Sequence, residues 1–408
     1  MDASAATPTL PEVTPDCGPR SPAGTHRRRS QDATITGQHG RARHGTGPTM
    51  PYAAITGWGA AIPERILTNQ DLERMVETSD EWIVSRTGIR ERHIVSGGES
   101  TTSLGAGAAR DALAKAGRTA EEIDLIVVAT ATPDDFLVSQ ACLIQADLGA
   151  GGAAFDVGAA CAGFVTALSV ATQFVTGGIY KRVLVIGVDT LTRYVDYQDR
   201  GTCILFGDGA GAVVLEATEE SRGLLSTVLG ADGNGHKHLY VPGRTKYVAN
   251  SAKLVPESAA IFAEESPYMK MNGREVFKFA VQAMGDSAVE AVEKVGLTFD
   301  DIAMLIPHQA NARIIDAAAR RLDLPREKVW VNVDRFGNTS AASVPIALAE
   351  AANAGALNEG DNVVLVAFGA GLAWAAGVVR WGVAGVEPPH TSESTAEPVA
   401  AAATPTTV

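Results

Sequence analysis

The chain has 408 residues, 46% apolar and 20% charged, a size and balance that suit an ordinary globular protein of two domains or one large duplicated one. Acidic residues outnumber basic ones by 47 to 34, for a net charge of -13, which argues against a general nucleic-acid binder while leaving room for a local basic patch. No run of about 18 uncharged apolar residues offers a membrane span, and the scattered Cys17, Cys142, Cys161 and Cys203 suggest neither a metal site nor a disulfide framework, so a reducing cytoplasm is the expected setting.

Residues 1–49 are rich in Pro, Gly, Thr, Arg and Ala and carry Arg27-Arg28-Arg29, without the apolar core of a signal peptide. They read as a disordered N-terminal extension, with Met50 as a second candidate start. The folded part begins at the strand-like Tyr52-Ala53-Ala54-Ile55-Thr56, and a disordered tail rich in Pro, Ser, Thr and Ala is expected over 386–408. Between the tails, helix-like and strand-like segments alternate, the pattern of an α/β fold.

The stretch from Thr78 to Ile89 reads by itself as a surface helix with a half-buried Trp82 and a solvated Arg86. The next, Ala108 to Ile126, has the pattern of an amphipathic helix, a glycine stop, an acidic turn and a buried strand. It recurs from Ser287 to Leu305, with Ala112 matched to Ala291, Lys115 to Lys294, Gly117 to Gly296, Thr119 to Thr298 and Ile123 to Ile302. Strand-like Val183-Leu184-Val185-Ile186-Gly187 is echoed by Val363-Val364-Leu365-Val366-Ala367. One unit used twice, over roughly 51–220 and 221–383, is the expected organisation.

The stretch from Asp156 to Phe164 carries Cys161 and opens a helix whose Phe164, Val165, Leu168, Val170, Ala171, Phe174 and Val175 point in nearly every direction, so burial on all sides is expected. A helix N-terminus favours the thiolate, the form that attacks a thioester. The competing reading is a free cysteine packed as a small hydrophobe. Gly207-Asp208-Gly209-Ala210-Gly211 reads as a structural turn, since it runs into strand-like Ala212-Val213-Val214-Leu215 and lacks the GxGxxG spacing of a nicotinamide-cofactor site. His308 follows the strand Met304-Leu305-Ile306 and precedes a helix from Arg313 to Leu322. In that place a histidine is either an oxyanion donor or base, or a structural residue. Asn338 precedes another apolar helix, either as a cap or turn residue or as a polar group of a site. The repeat sets the Cys161 segment, within a couple of residues, against Val331 to Ser340, so Cys161 and Asn338 are expected to face each other across a pseudo-twofold axis.

In chain order, DVGAACAGF (156–164), IPHQANARI (306–314), FGNTSAAS (336–343) and AFGAGLAW (367–374) resemble the signatures of β-ketoacyl-acyl carrier protein synthase III. The resemblance covers essentially all of residues 51–383. It implies a thiolase-like fold of duplicated α/β halves layered α-β-α-β-α, and a homodimer, because the family's two subunits share a continuous sheet. It implies Cys161 as the acyl-accepting nucleophile, His308 and Asn338 as the pair that promotes decarboxylation, and backbone N–H groups at Cys161 and Ala370 as the oxyanion donors. Ala370 stands where many relatives have glycine, and a backbone donor survives that change if the local φ is negative. By the same resemblance Trp82 stacks on the adenine of coenzyme A and Arg86 meets phosphate, with Thr78, Arg200, Gly201 and Asn311 lining the channel. Leu137 aligns with the residue that closes the acyl pocket from the partner subunit. Arg313, Arg320 and Arg321, which helical spacing sets on one face, align with docking of the acidic acyl carrier protein.

The reaction so implied condenses a short acyl-CoA primer with malonyl-acyl carrier protein, giving a β-ketoacyl carrier product, CO2 and CoA and starting fatty-acid or related chains. Acyl-CoA and the carrier protein are the expected partners, with no cofactor, metal, nucleic acid or membrane. The alternative is a same-fold acyltransferase passing the acyl group from Cys161 to a hydroxyl or amine, and a third reading is an inactive scaffold. The pair His308 and Asn338 favours condensation, because simple acyl transfer needs no enolate stabilisation. An intact Cys161 argues against the scaffold.

Overall fold

Runs of β-branched and aliphatic residues build the centre of the molecule. In Leu125-Ile126-Val127-Val128-Ala129 every residue is buried, as expected of a strand covered by helices on both faces. The computed structural model describes residues 51–242 and 268–382; the expected extension 1–49, Met50 and the tail 386–408 lie outside them. All described residues fall in one unit of the chain, Pro48–Val408.

The first part comprises β1 (Tyr52–Ala61), β2 (Ile66–Thr68), α1 (Asn69–Glu73), α2 (Asp80–Thr87), β3 (Glu91–His93), α3 (Thr101–Ala116), β4 (Leu125–Ala129), α4 (Gln140–Leu148), β5 (Ala153–Val157), α5 (Gly163–Thr176), β6 (Arg182–Thr190) and β7 (Asp208–Thr218). Short strands β8 (Gly223–Leu224), β9 (Val228–Ala231), β10 (Leu239–Tyr240) and β11 (Lys270–Met271) follow. Then come α6 (Gly273–Glu293), β12 (Ile302–Pro307), α7 (Ala312–Arg321), α8 (Val333–Phe336), α9 (Ser343–Asn353), β13 (Asn362–Gly369) and β14 (Ala373–Arg380).

Ten strands form one mixed sheet in the order β12-β13-β14-β8-β1-β7-β6-β4-β5, with β9 beside β14. β8 links the two wings, pairing parallel to β1 and antiparallel to β14. Helices α5 and α9 pack between the wings, in a core that joins Val127, Leu168 and Val213 to Val344, Leu348 and Leu365. α3 and α4 cover the outer face of the first wing over Ile126 and Leu184, and α6 and α7 cover the second over Leu305 and Val364. Neighbouring residues on a strand serve opposite faces, so Ile126 and Val127 belong to different cores. The result is the expected α-β-α-β-α layering, with α5 buried almost all round and Gln173 its exposed residue.

The repeated unit has the same conformation in both copies. Gly117 (φ 62°) ends α3 and Gly296 (φ 68°) follows α6; each leads into a short 3-10 turn closed by a capping box, Thr119 with Glu122 and Thr298 with Asp301, ahead of a buried strand. The correspondence continues into the central helices. Ala160 (φ 45°) and Ser340 (φ 52°) both take the left-handed conformation and open the 3-10 turns Ala160–Ala162 and Ser340–Ala342 that run into α5 and α9. By conformation, therefore, the counterpart of Cys161 is Ala341, and Asn338 lies just ahead of the second turn.

Each turn is touched by a strand of the other wing. A Cβ on Gly187 of β6 would lie 2.4 Å from Ala341 O, and one on Gly369 of β13 would lie 2.6 Å from Cys161 N. The glycine run 207–211 differs from the expected turn: from Asp208 onward it is strand β7. Gly211 is there because α9 approaches so closely that a Cβ would lie 2.7 Å from Ile346 N. Gly187→Ala should therefore lower the stability of the folded chain by about 1–3 kcal/mol through overpacking, read as a drop in the denaturant midpoint; an unchanged midpoint would show that the β6 contact yields.

Candidate active site

The turn between β5 and α5 sets Cys161 beneath the end of β13, where the absent side chain of Gly369 leaves room at its backbone N–H. The resting group differs from the thiolate expected at a helix N-terminus. Burial pushes the Cys161 thiol up to about 12, opposed by a hydrogen bond with the Ser340 side chain and reinforced by the buried Asp189 carboxylate. Desolvation of a charged sulfur outweighs the favourable helix end, so the neutral thiol is the resting form at pH 7. Asp189, at the end of β6, binds Ala131 N at 2.7 Å and Ala341 N at 3.1 Å and so ties the loop after β4 to the Ser340–Ala342 turn.

His308 extends β12, its N–H donating to Val366 O at 2.7 Å. Its ring is fully buried, edge-on to Phe368 with centroids 5.2 Å apart, and burial pulls its pKa down to about 3. The ring is neutral at pH 7. Ser343 Oγ lies 2.6 Å from Nδ1 and accepts a hydrogen bond from Gln309 N at 3.3 Å. When the Ser343 hydroxyl donates to Nδ1, the ring carries its proton on Nε2, the tautomer that an oxyanion donor needs. Among the described residues Nε2 itself is buried without a partner, so it is open to a polar group of whatever occupies the cavity.

Asn338 is held by its backbone, donating to Leu205 O at 2.8 Å and accepting from Gly207 N at 3.0 Å. Its side-chain Oδ1 accepts from Ser340 N at 2.9 Å, which leaves the amide Nδ2 to donate outward.

Two cavities meet at Cys161. One of about 250 Å³ is lined by Cys161, His308 and Asn338 together with Arg86, Gly201, Asn311 and Arg313. The other, of about 320 Å³, is mainly apolar and includes Cys161, Ser340, Ala370, Phe136, Phe206 and Met269. Ala370 is absent from the positive-φ residues, so alanine fits its turn without strain.

The remaining sequence candidates spread outward from this centre. Trp82 on α2 is flanked by two guanidiniums, Arg86 at 4.7 Å and Arg200 at 4.8 Å from the ring centroid. Arg200 also donates to Glu77 O. Asn311 caps α7 and donates from Nδ2 to Arg86 O at 3.1 Å, latching the end of α2 to the site. Thr78 lines neither cavity, and its buried Oγ1 has no partner among the described residues. Leu137 is 94% exposed and lines neither cavity of its own subunit, whereas its neighbour Phe136 lines the apolar one. Of the three arginines on α7, Arg313 reaches the cavity mouth and lies over Phe277, Arg320 is exposed, and Arg321 is bound to Asp286 of α6. Ser340, Ser343 and Asp189 were not singled out from the sequence; an alignment of the two left-handed turns would have drawn attention to Ser340. Among the described residues no group of three or more His, Cys, Asp or Glu side chains is placed to hold a metal ion, and no helix is long and apolar enough to cross a membrane.

Because the folded-state pKa of His308, about 3, lies below the ordinary 6.5, the unfolded chain takes up the proton first. Stability from the neutral ring is complete above pH 6.5 and is lost as the pH falls toward 3. In urea titrations below pH 6.5 the unaltered chain should lose about 1.4 kcal/mol per pH unit more than His308→Gln; parallel slopes would count against a neutral buried imidazole.

Known proteins bear on the same residues. The family model described as 3-oxoacyl-[acyl-carrier-protein (ACP)] synthase III matches residues 155–233, and its C-terminal companion matches 292–381. The β-ketoacyl-[acyl-carrier-protein] synthase III of Symbiobacterium thermophilum is 55% identical over 329 residues, covering 80% of this chain and 98% of its own. That of Roseiflexus castenholzii is 53% identical over 331 residues, covering 81% and 98%. The solved synthase III of Thermus thermophilus superposes with a TM-score of 0.75 at 47% identity, over 81% of this chain and all of that one. With this identity sustained over nearly the whole length of its relatives, the chain belongs to the β-ketoacyl-[acyl-carrier-protein] synthase III family.

Proposed function

We propose that Cys161, His308 and Asn338 carry out the decarboxylative condensation of a short acyl-CoA with malonyl-acyl carrier protein. The observation that carries this reading is that all three line one cavity, with His308 Nε2 buried and open. In the first half-reaction the Cys161 sulfur attacks the acyl-CoA carbonyl, the thiol proton is given up, and the departing CoA sulfur takes one up. Backbone N–H groups of Cys161 and Ala370 receive the tetrahedral oxyanion. In the second, the malonyl thioester loses CO2, and the electron pair of the broken C–C bond becomes an enolate whose oxygen accepts from His308 Nε2 and Asn338 Nδ2. The carbanion attacks the acyl-Cys161 carbonyl, the C–S bond breaks, and the β-ketoacyl carrier product leaves with Cys161 taking a proton back. The acyl group rides on Cys161 itself, so acyl-CoA and the carrier protein enter as substrates.

The entrance reading follows the same geometry. Arg86, Gly201 and Asn311 at the mouth, with Trp82 and Arg200 stacked beside them and Thr78 at the start of the segment, form the proposed coenzyme A channel, and the apolar cavity takes the acyl chain. Arg313 at that mouth is the foremost carrier-docking residue, with Arg320 and Arg321 along the same helix. Phe136, Leu137 and Val138 are consecutive exposed apolar side chains beside the acyl cavity, which supports a homodimer in which Leu137 reaches the partner's pocket. Two halves, 51–220 and 221–383, and a cytoplasmic setting for the free thiols Cys142, Cys161 and Cys203 complete the proposal.

Intact-protein mass spectrometry after incubation with a panel of acyl-CoAs, then malonyl carrier protein, tests it. An adduct on Cys161 should form and be released as a β-ketoacyl carrier product; release only onto an alcohol or amine would favour simple acyl transfer. Cys161→Ser should form no thioester adduct, while His308→Ala and Asn338→Ala should keep acylation and lose condensation by about a hundredfold or more. Arg313→Glu should weaken use of malonyl carrier protein and spare acylation from acyl-CoA; an equal fall in both would remove the docking role.

A further inference from the structure

Behind the wall of the catalytic cavity lies Arg92, a guanidinium at 0% exposure and one of the largest fully buried side chains of the protein. Among the described residues it makes no ion pair with a carboxylate, and burial lowers its pKa only to about 10, so it is charged at neutral pH. A buried cation is a poor way to add stability, since a well-packed apolar residue usually does as well or better. What this one does is hold carbonyls. Nη1 donates to Leu67 O at 3.1 Å and to Asn69 Oδ1 at 2.9 Å, and Nη2 donates to Ile204 O at 2.7 Å.

Those partners lead to the site from two sides. Past Ile204, Leu205 O and Gly207 N make the two backbone bonds that fix Asn338, and Phe206 and Asn338 form an isolated parallel bridge. The stem of Arg92 also fills the corner beneath this bridge, its Cβ lying 3.1 Å from where a Cβ on Gly337 would be and 3.2 Å from one on Gly207. On the other side Asn69, itself fully buried, donates from Nδ2 to Asp80 Oδ1 at 2.8 Å and Ile89 O at 2.9 Å. Asp80 is the first residue of α2, the helix that carries Trp82 and Arg86.

We infer that Arg92, oriented by Asn69, is a positioning residue for the decarboxylation half-reaction: it fixes the 204–207 segment and through it the Asn338 amide, in register with the entrance helix. The inference rests on the condensation reading given above. A planar fork can hold carbonyls on two segments at once, whereas a lysine offers a single point charge. Arg92 touches neither the Cys161 turn nor Gly369, so the chemical step of acylation depends on it less than decarboxylation does, while its link through Asn69 to α2 is felt in the acyl-CoA concentration that acylation needs.

The test separates those halves in Arg92→Lys and Arg92→Gln. Acylation of Cys161 from a short acyl-CoA is followed by intact mass, and product release from the pre-acylated chain with malonyl carrier protein is followed in a single turnover. Release should fall about ten- to a hundredfold, the scale of a misplacement near 1 Å, while acylation at saturating acyl-CoA stays within about threefold. Equal falls in both steps, no fall in release, or failure of both variants to fold would make Arg92 a structural residue and overturn the inference. An unaltered chain that acylates but never condenses would overturn the functional reading and this inference with it, whereas one that condenses alongside unsplit variants overturns the inference alone.

Discussion

Backbone meeting backbone, where Gly369 of β13 closes on Cys161, is the constraint on which the rest of the site depends. No side chain fits there, since its first carbon would stand 2.6 Å from Cys161 N. The mirror contact, Gly187 of β6 against Ala341 O, shows that the approach belongs to the fold rather than to the cysteine. Each wing of the sheet clamps the first turn of the central helix that belongs to the other. One of the two equivalent clamps holds a sulfur and the other a methyl group, so a symmetric scaffold carries an asymmetric site.

Cys161, His308 and Asn338, beside that clamp, are neutral at rest. Burial keeps the proton on Cys161 and keeps His308 uncharged, and the third group is an amide. Neutral donors fixed in a poorly solvated cavity suit charge that appears only during reaction, because they need not reorganise when it arrives. A permanent cation in their place would also bind the resting anions of the substrates. The permanent charges, Arg86 and Arg313 on the cavity lining and Arg200 beside Trp82, stand where the proposed coenzyme A phosphates and acidic carrier protein would arrive.

Much of this was legible in the chain. The duplication showed in residues whose chemistry is local: left-handed Gly117 and Gly296 follow the two helices, and Thr119 and Thr298 close the turns that come next. Cys161 at a helix start, His308 at a strand end and Asn338 before a helix could likewise be read from neighbours in sequence. What could not be read depended on neighbours in space. The resting state of Cys161 is a contest between a helix end and burial, and only the packed structure says that burial wins. Glycines 209 and 211 look like a turn until α9 is seen to press on them. Arg321 counts as a free charge until Asp286, on another helix, claims it. Ser343 looks like any helix-start serine, yet it orients the imidazole.

The flanked indole at the entrance has a consequence for turnover. Two like-charged guanidiniums, each within 5 Å of the Trp82 centroid, repel one another, and the π face offsets only part of that repulsion. In the proposed coenzyme A channel a phosphate that reaches both guanidiniums relieves that tension, so the empty doorway would favour any nucleotide that carries one. Spent coenzyme relieves it as well as fresh primer does. On that proposed reading, clearing the doorway after the first half-reaction competes with refilling it, so the ratio of free to acylated coenzyme, together with salt, which softens the repulsion, would set how often a new chain is begun.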